Sequence, residues 1–350
     1  MDETQGLVRD ATTRIFQDFG NPQTINNAED DAWREHLWSA LEDAGLTTAW
    51  VSDELGGAGA GIGAGFAVLR VAGEFAAPVA LAETLLANWL LEQGRLVLPG
   101  GTMSVAPTRR RDTIFLTEGK LAGTAEMVPF GTEVNHLAVL ASGKVALVNA
   151  SDCVFGSGVN LAGEPQNSIN FDGVTPIETG NVNEGIDQRA LLLMGAAVRA
   201  MQMAGALQAV LEIAVQYAEE RIAFGRPIGK FQAVQHNLAR LAEEAAAAIA
   251  IANSTAYSIE NLRSWDDSGL FLDVASAKIR VGEAAGQGSA IGHQTFGAIG
   301  FTKEHILHRF VQRLWSWRDD FDNEAVWAAE LGRRVATSGG DGLWLDLTAA

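Results

Sequence analysis

Apolar residues recur along this chain with two different rhythms, and the switches between them divide it into three stretches. Up to about residue 98 the rhythm is helical: Trp33, Leu37, Trp38 and Leu41 fall on one face, and Gly45 follows as a stop signal. Further helical runs are expected over 65–73 and, after Pro78, over 81–93. From Pro99 to about Ile177 the apolar runs shorten. Residues 113–116, 136–140 and 144–148 read as strands punctuated by glycine, asparagine and proline. Pro165, Pro176, Gly180 and Gly185 then mark a boundary. Beyond about Ile186 the helical rhythm returns in four long segments, over 187–221, 231–264, 270–295 and 302–335, the last with a break expected near Asn323. Small residues such as Ala204, Gly205, Ala206, Gly282 and Gly286 let neighbouring helices approach, so a four-helix bundle is predicted, with a tail that frays after Thr337. The predicted fold is mainly α with a small β domain. It comprises an N-terminal helical domain over 1–98, a middle β domain over 99–180 and a C-terminal four-helix bundle over 181–350.

Composition supports a folded chain, with 47% hydrophobic and 19% charged residues. The 43 acidic and 25 basic residues give a net charge of −18, which disfavours nucleic acids and anionic membrane surfaces as partners. An anionic small molecule would need a local basic patch. Cys153 is the sole cysteine, so an intrachain disulfide and a multi-cysteine metal site are excluded, and a packed thiol is the expected role. The opening MDETQGLVRD has no apolar signal core, and no stretch reaches the roughly 20 apolar residues of a membrane span. A soluble, cytoplasmic protein is the expectation.

Several motifs invite a chemical reading that their context denies. The glycine run 56–65 contains no strict GxGxxG register, follows no strand and carries no lysine, so it is expected to be a flexible turn opening the next helix. His305 and His308, read on one helix with Glu304, have neither HExxH spacing nor a second carboxylate–histidine motif, so no metal is expected. Trp315, Trp317 and Trp327 are expected to pack at a helix junction, and Glu219–Glu220 and Glu243–Glu244 to lie on solvated faces.

The segment from Tyr217 to His236, YAEERIAFGRPIGKFQAVQH, is more informative. It reads as a helix end, a tight turn and a new helix: Gly225 relaxes the backbone, Pro227 stops the first helix, and Phe231 begins the next apolar stripe. Arg221, Phe224 and Gln232 lie close together in it, and an arginine, an aromatic ring and an amide can hold a pyrophosphate and a flat heterocycle. The segment resembles the YxxxRxxFGxPxxxFQxxxH signature of acyl-CoA dehydrogenases. Residues 294–301, QTFGAIGF, resemble the family's QxxGGxGF, and LEDAGL at 41–46 followed by ELGGAG at 54–59 resembles its first helical domain. The resemblance covers nearly the whole chain.

What the resemblance implies is a flavoprotein fold in which two chains share each FAD. Arg221, Phe224 and Gln232 would contact the FAD of a neighbouring subunit, and Gln294 and Gly297 its adenosine end. The family reaction removes the α-proton of an acyl-CoA thioester while a hydride leaves the β-carbon for the flavin. Its base is a glutamate on the loop between the last two helices, or in some relatives a residue on the first bundle helix. In this chain those places fall on Phe321 and near Gly195. Asp320, Asp322 and Glu324 are the neighbouring carboxylates and the weak candidates for a base. The TEP-like, GSD-containing stretch and WxT-like strand that bind the flavin ring are not found between Gly100 and Gly180, so a trimmed β domain is expected, and Ala298 replaces a signature glycine.

Three readings remain open at the level of sequence. The chain could oxidise an acyl-CoA with FAD as hydride acceptor and an electron-transferring flavoprotein downstream. It could be the base-deficient subunit of a heteromeric dehydrogenase. It could be a silent helical scaffold. A second subunit, identical or different, belongs to the first two.

Overall fold

In the computed structural model, residues 3–348 are described; Met1, Asp2, Ala349 and Ala350, the ends of the expected signal-free start and of the expected frayed tail, lie outside the described residues. Five helices open the chain: α1 (Glu3–Phe19), α2 (Pro22–Asn26), α3 (Ala32–Asp43), α4 (Ile62–Phe75) and α5 (Leu81–Gln93). Gly61, at the end of the glycine run, takes the N-cap position of α4. Eight strands follow: β1 (Met103–Ala106), β2 (Thr113–Thr117), β3 (Lys120–Pro129), β4 (His136–Ala141), β5 (Lys144–Asn149), β6 (Val154–Phe155), β7 (Gln166–Val174) and β8 (Glu178–Asn181). They form two four-stranded sheets, β1-β4-β5-β8 and β2-β3-β7-β6, with β1 parallel to β4 and the other pairs antiparallel.

The two sheets differ as their sequences require. β4 and β5 are unbroken apolar runs because their sheet is covered on both faces: Leu137, Val139, Ala146 and Val148 meet the second sheet, while Ala138, Leu140, Val145 and Leu147 join the core of the helices. β2 and β3 alternate, burying Ile114, Leu121 and Ala125 and exposing the residues between them.

The second helical region holds α6 (Gln188–Glu220), α7 (Gln232–Glu260), α8 (Ser268–Phe296), α9 (Leu307–Asp319) and α10 (Glu324–Thr348), with a small ladder of β9 (Ile222–Ala223) and β10 (Arg226–Pro227) between α6 and α7. α6 is apolar on every side and is its central post, buried continuously from Ala190 to Leu207. Among the described residues it is also the one helix long and apolar enough to cross a membrane, and its apolar window is buried inside the protein. α7 instead buries a single stripe of Leu241, Ala245, Ala248, Ala252 and Ile259, and its first two turns contain no buried residue.

Three expectations need correction. The tail does not fray after Thr337 but stays helical to Thr348 across a break at Gly339. The first bundle helix ends at Glu220, where Arg221 turns extended, six residues before Pro227. His305 lies outside α9, which begins at Leu307, so it does not share a helix with His308; no group of His, Cys, Asp or Glu among the described residues could hold a metal.

Candidate functional site

The junction after α6 is built around a two-residue hairpin. Ala223 pairs with Arg226, leaving Phe224 and Gly225 as turn residues with φ of 51° and 79°. Positive φ at both positions suits a primed turn. Glycine tolerates it readily, whereas a bulky aromatic residue is rare there. Phe224 is also 96% exposed, so the strain is spent on presenting a ring outward. The Arg226 guanidinium lies 4.3 Å from the Phe231 ring, and Phe224 meets Phe231 edge-on at 6.1 Å. Arg221 and Gln232 are exposed, and no side-chain hydrogen bond or ion pair holds either among the described residues. From Arg221 to Ala242 the chain has four basic residues and no acidic one, a local basic patch in an otherwise strongly acidic protein.

The second signature segment comes to the same end of the bundle. Tyr217, one turn before Arg221, stacks on Phe296 with ring centroids 4.3 Å apart. Gln294 and Gly297 flank Phe296 and line a cleft of about 450 Å³ with Ala290, His293, Phe301 and Trp315. His293 stacks on Phe301 at 3.9 Å; burial holds its pKa below the ordinary histidine value, and its Nδ1 has no partner. Gly297 has φ 64° and ψ −141° with open space where a side chain would stand. Exposed donors, a presented ring, a basic patch and an open glycine fit one part of a flat dinucleotide.

The base region is very different. Phe321 is buried with φ 52°, and a Cβ on Gly195 would stand 2.3 Å from its ring, so the two places assigned to a base pack against each other. Trp327 Nε1 donates to the Phe321 carbonyl at 3.0 Å. Asp320 is fully buried and accepts from Arg199 Nε at 2.8 Å and Gln166 Nε2 at 2.6 Å. The same guanidinium pairs with buried Glu83 and donates to Gln202 Oε1 at 2.6 Å. Burial raises the pKa values of Asp320 and Glu83, opposed in each case by Arg199. Asp322 pairs with Arg110 Nε at 2.8 Å. Glu324 pairs with Arg318; burial pushes its pKa up, but the hydrogen bond and charge of Arg318, its own backbone amide and the charge of Lys278 together outweigh this and the net shift is downward. Each of the three candidate carboxylates is thus paired with an arginine, and Glu324 Oε2 is left without a hydrogen-bond partner.

These contacts also close the seam between the β strands and α9. Gln166 to Asp320 starts from β7, Arg110 to Asp322 and Arg109 Nη2 to the Asp319 carbonyl (3.4 Å) from the loop after β1, and Gln188 donates to the Arg109 carbonyl at 2.8 Å. Glu83, Arg199, Gln166 and Arg110 were not singled out from sequence. A usable signal existed for two of them: Glu83 and Arg199 are isolated opposite charges inside apolar helices, and such charges must pair when buried.

Lys278 completes this region, donating from Nζ to the carbonyls of Trp317 (2.9 Å) and Arg318 (3.0 Å) at the end of α9. Burial pushes its pKa down to about 7, with Asp320 opposing. A lysine depressed in the folded state binds fewer protons than the unfolded chain between about pH 7 and its ordinary value of 10.5, so its contribution to stability rises with pH across that window. Denaturant unfolding from pH 7 to 10 should therefore give a stability slope more positive in the wild type than in Lys278→Met; equal slopes would contradict this assignment.

Comparison with known proteins is consistent with this geometry. Residues 184–317 match the family model described as acyl-CoA dehydrogenase, C-terminal domain. The chain is 25% identical over 318 residues to the acyl-CoA dehydrogenase IpdE2 of Mycobacterium tuberculosis, covering 89% of this chain and 91% of that protein. Its fold matches a chain of the ChsE4–ChsE5 complex from Mycobacterium tuberculosis with a TM-score of 0.85 at 21% identity, over 97% of this chain and 99% of the other. It also matches butyryl-CoA dehydrogenase from Megasphaera elsdenii with a TM-score of 0.79 at 18% identity, over 96% and 99% of the two chains. The expectation of a trimmed β domain is not met: eight strands are present and the fold of these neighbours is spanned almost completely.

Proposed function

We propose, from the premise that this chain belongs to the acyl-CoA dehydrogenase family, that it is the base-deficient subunit of a two-component flavin dehydrogenase acting on an acyl-CoA thioester. The observation that carries this reading is the packing of Phe321 against Gly195, with all three neighbouring carboxylates tied in ion pairs. A complete dehydrogenase needs a carboxylate within reach of the substrate α-carbon, and general-base catalysis is lost without one. The different partner chain supplies that base and the strands that bind the flavin ring.

In the shared site FAD supplies the hydride acceptor. Arg221 and Gln232 would donate to its pyrophosphate, and Phe224 would cover a flat ring of it and exclude water. Gln294 and Gly297 receive the adenosine end. An electron-transferring flavoprotein is the acceptor that the family resemblance implies. The ChsE4–ChsE5 structure, a complex in which a chain has this fold, offers a precedent for such pairing.

Co-expression with full-length family members tests the reading. Acyl-CoA-dependent dye reduction should be absent with this chain alone and appear with the matching partner. Full turnover by the isolated chain would overturn it.

A further inference from the structure

We propose that the cavity between the α2–α3 connection, the loops of the β region and the start of α9 binds a phosphate or pyrophosphate group carried on a small organic molecule. This cavity adjoins the cleft beside Gln294 and Gly297, with which it shares Phe301, but its arginines belong to neither signature segment. Its volume, about 580 Å³, far exceeds an inorganic anion and lies in the range of small-molecule sites. Trp33, Phe130 and Phe301 give it an apolar wall.

The argument rests on unspent donors. Arg309 lines the cavity, and among the described residues it has no ion pair and no side-chain hydrogen bond, although its Nε is shut off from solvent. The Nε atoms of Arg34 and Arg313, on the same cavity, also lack an acceptor. Glu164 Oε1 lies 2.9 Å from Arg313 Nε, an ion pair by distance but not one aligned as a hydrogen bond. Three planar guanidinium groups with donors to spare suit a multivalent oxyanion, which accepts in a fork geometry.

Acidic residues also line the cavity. Glu133 and Asp31 are engaged by Arg34, at 3.2 and 3.5 Å, and Glu164 by Arg313. Glu29 and Asp30 sit on the exposed lip, where the Asp30 carboxylate accepts from the Ala32 amide at 3.1 Å. On the basic side Lys303 is exposed at the rim, while burial holds the His308 pKa below the ordinary histidine value. Burial and the adjacent Arg313 push the Arg309 pKa down to about 10, with Glu164 opposing.

Calorimetric titration of the full chain at low ionic strength, with inorganic phosphate, pyrophosphate and ADP as separate probes, tests this assignment. Pyrophosphate and ADP should bind, with ADP tighter than inorganic phosphate. Arg309→Met should weaken both by about tenfold or more, and Lys303→Gln, at an exposed position that leaves folding intact, by a few-fold. Without ligand, Arg309→Met should melt at or above the wild-type temperature, because it removes an unpaired, partly buried cation. Flavin content of the mixed complex should be unchanged in both variants, which separates this site from the shared one. Absence of heat with every probe, unweakened binding in Arg309→Met and Lys303→Gln, inorganic phosphate binding as tightly as ADP, or a lower ligand-free melting temperature in Arg309→Met would each overturn it.

Discussion

Asp320→Ala should lower the unfolding free energy by about 3–5 kcal/mol, measured by urea unfolding followed by circular dichroism. Arg199 sits fully buried between Glu83 and Asp320, so deleting one carboxylate leaves a desolvated guanidinium half compensated. It also orphans the Gln166 amide that bridges from β7. Glu83→Ala should behave similarly from the α5 side. The contrast is the triple replacement Glu83→Leu, Arg199→Met, Asp320→Leu, which removes the charges together and should cost far less than either single change. A destabilisation below about 1 kcal/mol for Asp320→Ala would mean that the ion triad is not desolvated as described. The triad also bears on function, because it anchors the Asp320–Asp322 turn in which Phe321 faces inward.

The second large effect concerns the exposed junction. In the complex with its partner, Arg221→Ala and Phe224→Ala should each strip most of the bound flavin while leaving the melting temperature of the isolated chain nearly unchanged. Neither side chain is buried, and Arg221 makes no side-chain hydrogen bond or ion pair within the chain among the described residues, so the loss must come from contacts outside it. On the proposed reading, Arg221→Ala would remove a charge-assisted hydrogen bond to the pyrophosphate, and Phe224→Ala a large apolar face. Arg221→Lys should recover only part of the retention, since an ammonium cannot reproduce the planar fork. Flavin absorbance per complex after gel filtration measures all three.

Much of the fold was legible in sequence because its elements obey simple rules. The unbroken apolar runs of β4 and β5 announced strands, and the stripe of α7 announced a helix packed on one side. That the place of the family's glutamate falls on Phe321 follows from the resemblance, counting from Gln294. What packs there was not legible. That Phe321 packs on Gly195, 126 positions away, is a tertiary fact, and so is the convergence of Glu83, Arg199 and Asp320 from three helices or their ends. The tail beyond Thr337 looked frayed because glycines interrupt it, yet the break is confined to the backbone at Gly339 and helix resumes. The candidate flavin contacts were readable only as a resemblance; the strained, outward Phe224 and the acid-free stretch behind it are what the three-dimensional structure adds.

The most direct measurement is the visible spectrum of this chain purified alone and co-purified with the proposed catalytic partner, before and after Arg221→Ala. A flavin band carried by the mixed assembly, bleached by acyl-CoA, absent from the lone chain and greatly reduced in the variant is the predicted result. A band that the lone chain carries and acyl-CoA bleaches, or one that persists unchanged without the Arg221 guanidinium, would contradict it.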